Sequence, residues 1–217
     1  MKKIDKNLPL PPNTKLDWLE CFAKIIIENY SSLKVFDFAL KDKPDLQSDK
    51  FSVGIEVTSA VDKKSQEMDN LYTLLEYNRV RNKEKVLKRI KALGGKIDSG
   101  ILIHPGRYRD FNKVFESLEN KLKKMNNGKY TIFNNNSLII FDDNIIMEYE
   151  YEKILLEMIE ISNKYDITFD YVFIYIFGYK FIEFNLVERK ILAIEPQNIY
   201  ELSLKARDMV IQEEKII

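Results

Sequence analysis

The chain almost lacks the two side chains that most often hold metals or start nucleophilic chemistry. In 217 residues it has one cysteine, Cys21, and one histidine, His104. A single cysteine excludes an internal disulfide framework and any thiolate metal cluster. A single histidine excludes multi-histidine metal centres, and any Ser–His or Cys–His apparatus would have to run through His104. No apolar run approaches the ~20 residues that span a bilayer. Lys2, Lys3 and Lys6 are followed by no apolar stretch, so no signal peptide and no membrane association are expected. A reducing, cytoplasmic setting is the default expectation. Metal chemistry, if there is any, falls to carboxylates, whose hard oxygens suit magnesium, manganese or calcium.

What is present reads as a globular chain, because 45% of the residues are hydrophobic and 31% charged. The length fits a single domain over 1–217 with one insertion at about 61–105. Formal net charge is zero, but it is unevenly spread. Residues 79–129 hold 15 Lys and Arg against 5 Asp and Glu, whereas residues 142–217 hold 8 against 16. The middle third is thus a basic block. Such a block is either a set of solvated helix faces paired with the acidic C-terminal third, or a track for nucleic acid.

Hydrophobic periodicity predicts a helix over 15–30 with Thr14 as N-cap. A strand follows at 35–40, then a turn at Ser48-Asp49 and a strand over 51–58. Residues 64–93 read as one long helix or two short ones, ended by Gly94-Gly95. A short strand at 101–103 leads into the loop His104-Pro105-Gly106, a strand-end turn or a phosphate-contacting loop. A helix over 110–125, a loop at 134–136, a buried strand over 137–141 and a helix over 149–163 come next. Residues 171–177 and 180–186 form a hairpin about Gly178-Tyr179. Pro196 opens a last helix. The expected architecture is α/β, a mixed sheet flanked by helices. Trp18 lies off the apolar stripe of the first helix and is a candidate partner surface.

Three carboxylates stand out. At ~100° per residue, Glu20 falls on or beside the stripe formed by Leu16, Ala23 and Ile27. Glu56 sits inside the β-branched run Val53-Gly54-Ile55-Glu56-Val57-Thr58, where a charge is unusual. Gly54 would leave room beside it. Asp45 follows Pro44, eleven residues before Glu56. A hairpin would bring Asp45 and Glu56 to neighbouring positions on one face, and the preceding helix could offer Glu20 to the same place. Adjacent carboxylates repel unless a cation lies between them.

Pro44-Asp45, ten intervening residues and then Glu56-Val57-Thr58 resembles the motif of the PD-(D/E)XK nuclease superfamily. The resemblance implies a restriction-endonuclease-like core of helix, three antiparallel strands, helix and a further strand. It covers residues 14–60 well, and 106–142 by element order. It implies Mg2+ or Mn2+ held by Asp45 and Glu56, with Glu20 as a further ligand, and hydrolysis of phosphodiester bonds in DNA. The superfamily pattern has lysine two residues after the glutamate, where this chain has Thr58. A hydroxyl carries no charge and does not replace the electrostatic role of an ammonium. Lys43, Lys64 and Lys121 are the candidate substitutes, and Gln47 could hold a metal-bound water. Lys85, Lys88, Arg107, Arg109, Lys121 and Lys124 form the expected nucleic-acid track. The alternative expectation is a catalytically inactive nuclease-like module that binds nucleic acid or a protein partner. A homodimer is left open.

Overall fold

The computed structural model describes residue 10 and residues 14–98, 100–105 and 111–215. They form two compact units, one of 14–60 with 111–215, the other of 61–98 with 100–105. The larger is an α/β unit built on a seven-stranded mixed sheet. No described helix is long and apolar enough to cross a membrane.

The larger unit opens with α1 (Trp18–Tyr30). Its N-cap is Asp17, whose carboxylate accepts Leu19 N–H at 2.6 Å. Thr14, the expected cap, instead donates its hydroxyl to the Leu16 carbonyl. An anionic cap also complements the positive end of the helix dipole. The strand expected over 35–40 shrinks to β1 (Ala39–Leu40). Lys34 and Asp37 take φ of 54° and 61°, and this left-handed backbone breaks an extended run. β2 (Leu46–Ser48) and β3 (Val53–Ser59) form an antiparallel hairpin. Ser48 belongs to the strand, so the turn lies over 49–52 rather than at Ser48-Asp49.

α4 (Asn112–Asn126) and α5 (Tyr151–Ser162) are the crossovers that connect β3 to β6 (Asn135–Asp142) and β6 to β7 (Tyr171–Ile176), all three strands being parallel. β6 begins earlier than expected. The Asn136 amide bridges back to Phe133, accepting its N–H at 3.0 Å and donating to its carbonyl at 2.8 Å, so the loop residues join the ladder. β8 (Lys180–Asn185) pairs antiparallel with β7, and β9 (Lys190–Ile194), an apolar run not among the expected strands, pairs with β8. Sheet order is β1-β2-β3-β6-β7-β8-β9. α6 (Ile199–Lys215) closes the unit against α1.

Strand alternation divides the core in two. Leu138, Ile140, Val172 and Ile174 pack with Leu118, Leu122 and Met158 from α4 and α5. Phe141 and Tyr175 meet Phe22 of α1 at ring separations of 6.1 and 5.4 Å. Trp18 is no vacant partner surface: it stacks on Phe22 at 5.0 Å and donates its indole N–H to the Ser203 carbonyl of α6.

The smaller unit resolves the ambiguity over 64–93 into α2 (Lys63–Glu76) and α3 (Lys83–Ala92). A ribbon of β4 (Lys96–Asp98) and β5 (Ile101–Ile103) follows. Met68 and Ile90 are its buried centre, and Arg89 forks onto Glu67 with bonds of 2.7 and 2.9 Å. His104 pairs with Asp69 at 2.9 Å.

Gly54 does not hold space open for a ligand. A Cβ there would lie 2.5 Å from the Phe133 ring and 2.7 Å from the Pro44 ring. Both rings pack over the glycine, so Gly54→Ala is expected to lower the unfolding free energy by about 1–3 kcal/mol through overpacking. Denaturant unfolding checks it, and an unchanged midpoint contradicts it.

Candidate active site

The β2–β3 hairpin brings the two motif carboxylates together. Its register pairs Leu46 with Ile55. Carried one residue outward, it sets Asp45 opposite Glu56. Asp45 Oδ2 accepts the Val57 N–H at 2.7 Å, which fixes the aspartate beside the strand that carries Glu56. Glu56 is 5% exposed. An ionised carboxylate so far from water needs compensation.

Most of that compensation comes from α4. Lys121 Nζ lies 2.5 Å from Glu56 Oε1 and donates to the Val57 carbonyl at 3.1 Å. Tyr130, just beyond the end of α4, donates its hydroxyl to the same Oε1 at 3.0 Å. Two donors thus converge on one oxygen, while Glu56 Oε2 is buried and makes no hydrogen bond. The carboxylates and Tyr130 line a cleft of about 560 Å³, with Asp42 at its side and Lys43, Lys124 and Lys129 around it. An acidic floor under a basic rim suits a polyanion that brings, or shares, a cation.

Glu20 belongs to the same electrostatic group. Burial, then the charges of Asp45, Asp17, Glu56 and Asp42, push its carboxyl up to about 7. Burial and the neighbouring Glu56 push Asp45 up to about 6, against the downward pull of the Val57 amide and Lys121. Burial and the Glu56 carboxylate raise the Tyr130 phenol, which keeps it a protonated donor. Among the described residues, no three His, Cys, Asp or Glu side chains come together as a group that could hold a metal ion. Glu20 is coupled to Asp45 and Glu56 by charge without closing a three-carboxylate cage with them.

The other expected residues divide. Thr58 is half-buried on β3, in register with Ile140 of β6. Lys43 sits on the cleft rim and pairs with Asp42 at 3.0 Å. Its φ of 58° takes it out of extended geometry, so alternation from Asp45 does not set its direction. Gln47 does not offer its amide nitrogen to a water: Nε2 donates to the Pro44 carbonyl at 2.9 Å and holds the preceding loop. Lys124 lines the cleft. Lys64, in the first turn of α2, and Lys85 and Lys88 of α3 belong to the smaller unit, where Lys88 pairs with Glu84. Arg107 and Arg109 lie outside the described residues. Cys21 is fully buried, its thiol pushed up to about 12 chiefly by that burial, as an inert packing residue should be. Sequence reasoning missed Tyr130, which follows Gly128 and Lys129 in a stretch without periodicity; Lys129 entered only as the last cation of the basic block.

The raised carboxyls have a consequence for stability. Glu20 and Asp45 bind their protons more tightly folded than unfolded. Between about pH 4 and pH 7 the unfolded chain therefore ionises first, and stability falls as pH rises. Glu20→Gln is expected to raise the metal-free unfolding temperature at pH 8 and leave it unchanged near pH 3.5. The rise amounts to roughly 2–4 °C for each kcal/mol regained. Thermal scans at the two pH values check this, and equal shifts at both contradict it.

No family model, curated protein or solved structure matches the chain, so what the cleft does is read from its own residues.

Proposed function

We propose that the chain is a metal-dependent nuclease of the PD-(D/E)XK kind, acting on phosphodiester bonds in DNA. The observation that carries the reading is Lys121 Nζ at 2.5 Å from Glu56, the carboxylate that lines one cleft with Asp45. Thr58 stands where the motif has lysine, and an ammonium from α4 reaches the strand it would have occupied. The order α1, β1–β2–β3, α4, β6, with β6 parallel to β3, supports a restriction-endonuclease-like core.

The donor set fits a hard divalent cation. Magnesium is commonly held by one or two carboxylates plus substrate phosphate and water. Asp45 and the unpartnered Oε2 of Glu56 would hold Mg2+ or Mn2+, with Glu20 acting through water. Such a cation polarises a phosphoryl oxygen and lowers the pKa of a bound water. Lys121, fixed by Glu56 and the Val57 carbonyl, presents positive charge where negative charge develops on the phosphoryl group. Lys43, Lys124 and Lys129 draw in the phosphate backbone without reading sequence. The second reading, a nuclease-like module that binds without cleaving, draws on Lys121 already being engaged by two acceptors.

Calorimetric titration with Mn2+, paired with Mg2+-dependent cleavage of duplex, junction and single-stranded DNA, tests both. Wild type is expected to bind Mn2+ and to cleave, and Asp45→Ala to lose both. Lys121→Met is expected to keep the cation and lose ~10²–10³-fold in cleavage rate. Breaking a buried pair costs about 3–5 kcal/mol, so circular dichroism must show that variant folded. Cation binding without cleavage in wild type selects the second reading. Neither binding nor cleavage, with DNA present, overturns the first.

A further inference from the structure

Glu56 poses a question that its pairing with Lys121 does not answer. One ammonium offset by one carboxylate would balance the charge, yet a second donor, the Tyr130 hydroxyl, comes to the same oxygen. Oε1 receives Lys121 at 2.5 Å and Tyr130 at 3.0 Å, while the buried Oε2 receives nothing. A buried carboxylate oxygen without a donor is costly. If neutralising Glu56 were the whole purpose, the two donors would be divided between the two oxygens.

We propose that Tyr130 is a positioning residue, which with Lys121 occupies Glu56 Oε1 so that Oε2 alone is turned toward a divalent cation in the cleft. This rests on the metal-dependent reading of the site. Two donors arriving from separate places, one on α4 and one past its end, fix the rotation of the carboxylate plane as well as its position. Lys121 alone would leave the plane free to turn about the Glu56 side chain, and either oxygen could then take the cation. Outer-shell donors of this kind commonly change metal affinity or activity 10–100-fold. Tyr130 lines the cleft itself, so its ring also walls the side on which the cation would sit. The hydroxyl is aimed at Glu56, which assigns it no proton transfer and no contact with the scissile bond.

Tyr130→Phe keeps the ring and removes the donor. Mn2+ titration of wild type, Tyr130→Phe and Asp45→Ala at one pH is the test, with metal-free unfolding temperatures and DNA-cleavage kinetics measured alongside. The expected result is Mn2+ bound by wild type, about tenfold more weakly by Tyr130→Phe, and not by Asp45→Ala. Cleavage by Tyr130→Phe should show a lower kcat at saturating Mn2+, with KM for DNA unchanged. A purely structural tyrosine would instead lower the unfolding temperature and leave Mn2+ affinity and kcat alone. Equal Mn2+ affinity in wild type and Tyr130→Phe overturns the positioning role and leaves the metal reading standing. No Mn2+ binding by wild type, with or without DNA, overturns both.

Discussion

The larger unit is organised around the need to keep one charge out of water. Glu56 lies on β3 one residue past the stretch that pairs with β2, with β6 alongside it, and has hardly any exposure. A lone carboxylate in that place would cost several kcal/mol. The fold meets this cost with an ammonium from α4 and a phenol from the segment after it. The position of α4 over β3, the direction of β6 and the path of residues 127–134 are all compatible with that arrangement. The compensation is incomplete, because Asp45 and Glu20 crowd the same region with carboxyls raised by burial and mutual repulsion. Such a group leaves negative charge in the cleft that the protein's own donors do not fully offset.

The rim and the floor of the cleft do different physical tasks. Lys43, Lys124 and Lys129 stand where solvent screening limits each to a modest local attraction, and together they set a field. Asp45 and Glu56 act at short range, the first just before β2 and held by the Val57 N–H, the second on β3 beside β6. The cleft thus combines short-range negative charge on its backbone-anchored acids with screened positive charge on its exposed lysines.

Some of this was legible in the sequence and some was not, for identifiable reasons. Glu56 announced itself because a charge interrupts a β-branched run, and its nearness to Asp45 followed from strand alternation and one turn. The helices and central strands carried clear periodicity. β9 did not: Ile191-Leu192-Ala193-Ile194 is apolar but too short, and without the apolar–polar alternation that marks a strand with one buried face. β1 was overread because two left-handed residues look like any others in a sequence. Lys121 stood among several candidate lysines, and periodicity alone could not select it, since that depends on how α4 lies over β3. Tyr130 was illegible: its role arises from a hydrogen bond across 74 positions, with no local pattern attached. Gly54, expected to leave room beside Glu56, is instead covered by the Phe133 and Pro44 rings, a tertiary contact that strand alternation does not reveal.

Chain connectivity has a consequence for how the protein assembles. The Glu56–Lys121 pair joins positions 65 apart, and the smaller unit is inserted between them. Contacts of such sequence separation come at the cost of closing a long loop, and parallel pairing such as β3 with β6 is slow to form. The β2–β3 hairpin, by contrast, can close locally within microseconds. Early in folding, Asp45 and Glu56 would therefore face each other in a wet, uncompensated hairpin, and the lysine would arrive only with the long-range docking of α4. A nascent or partly folded chain holds both acids and lacks the cleft, so any activity would emerge only as folding finishes.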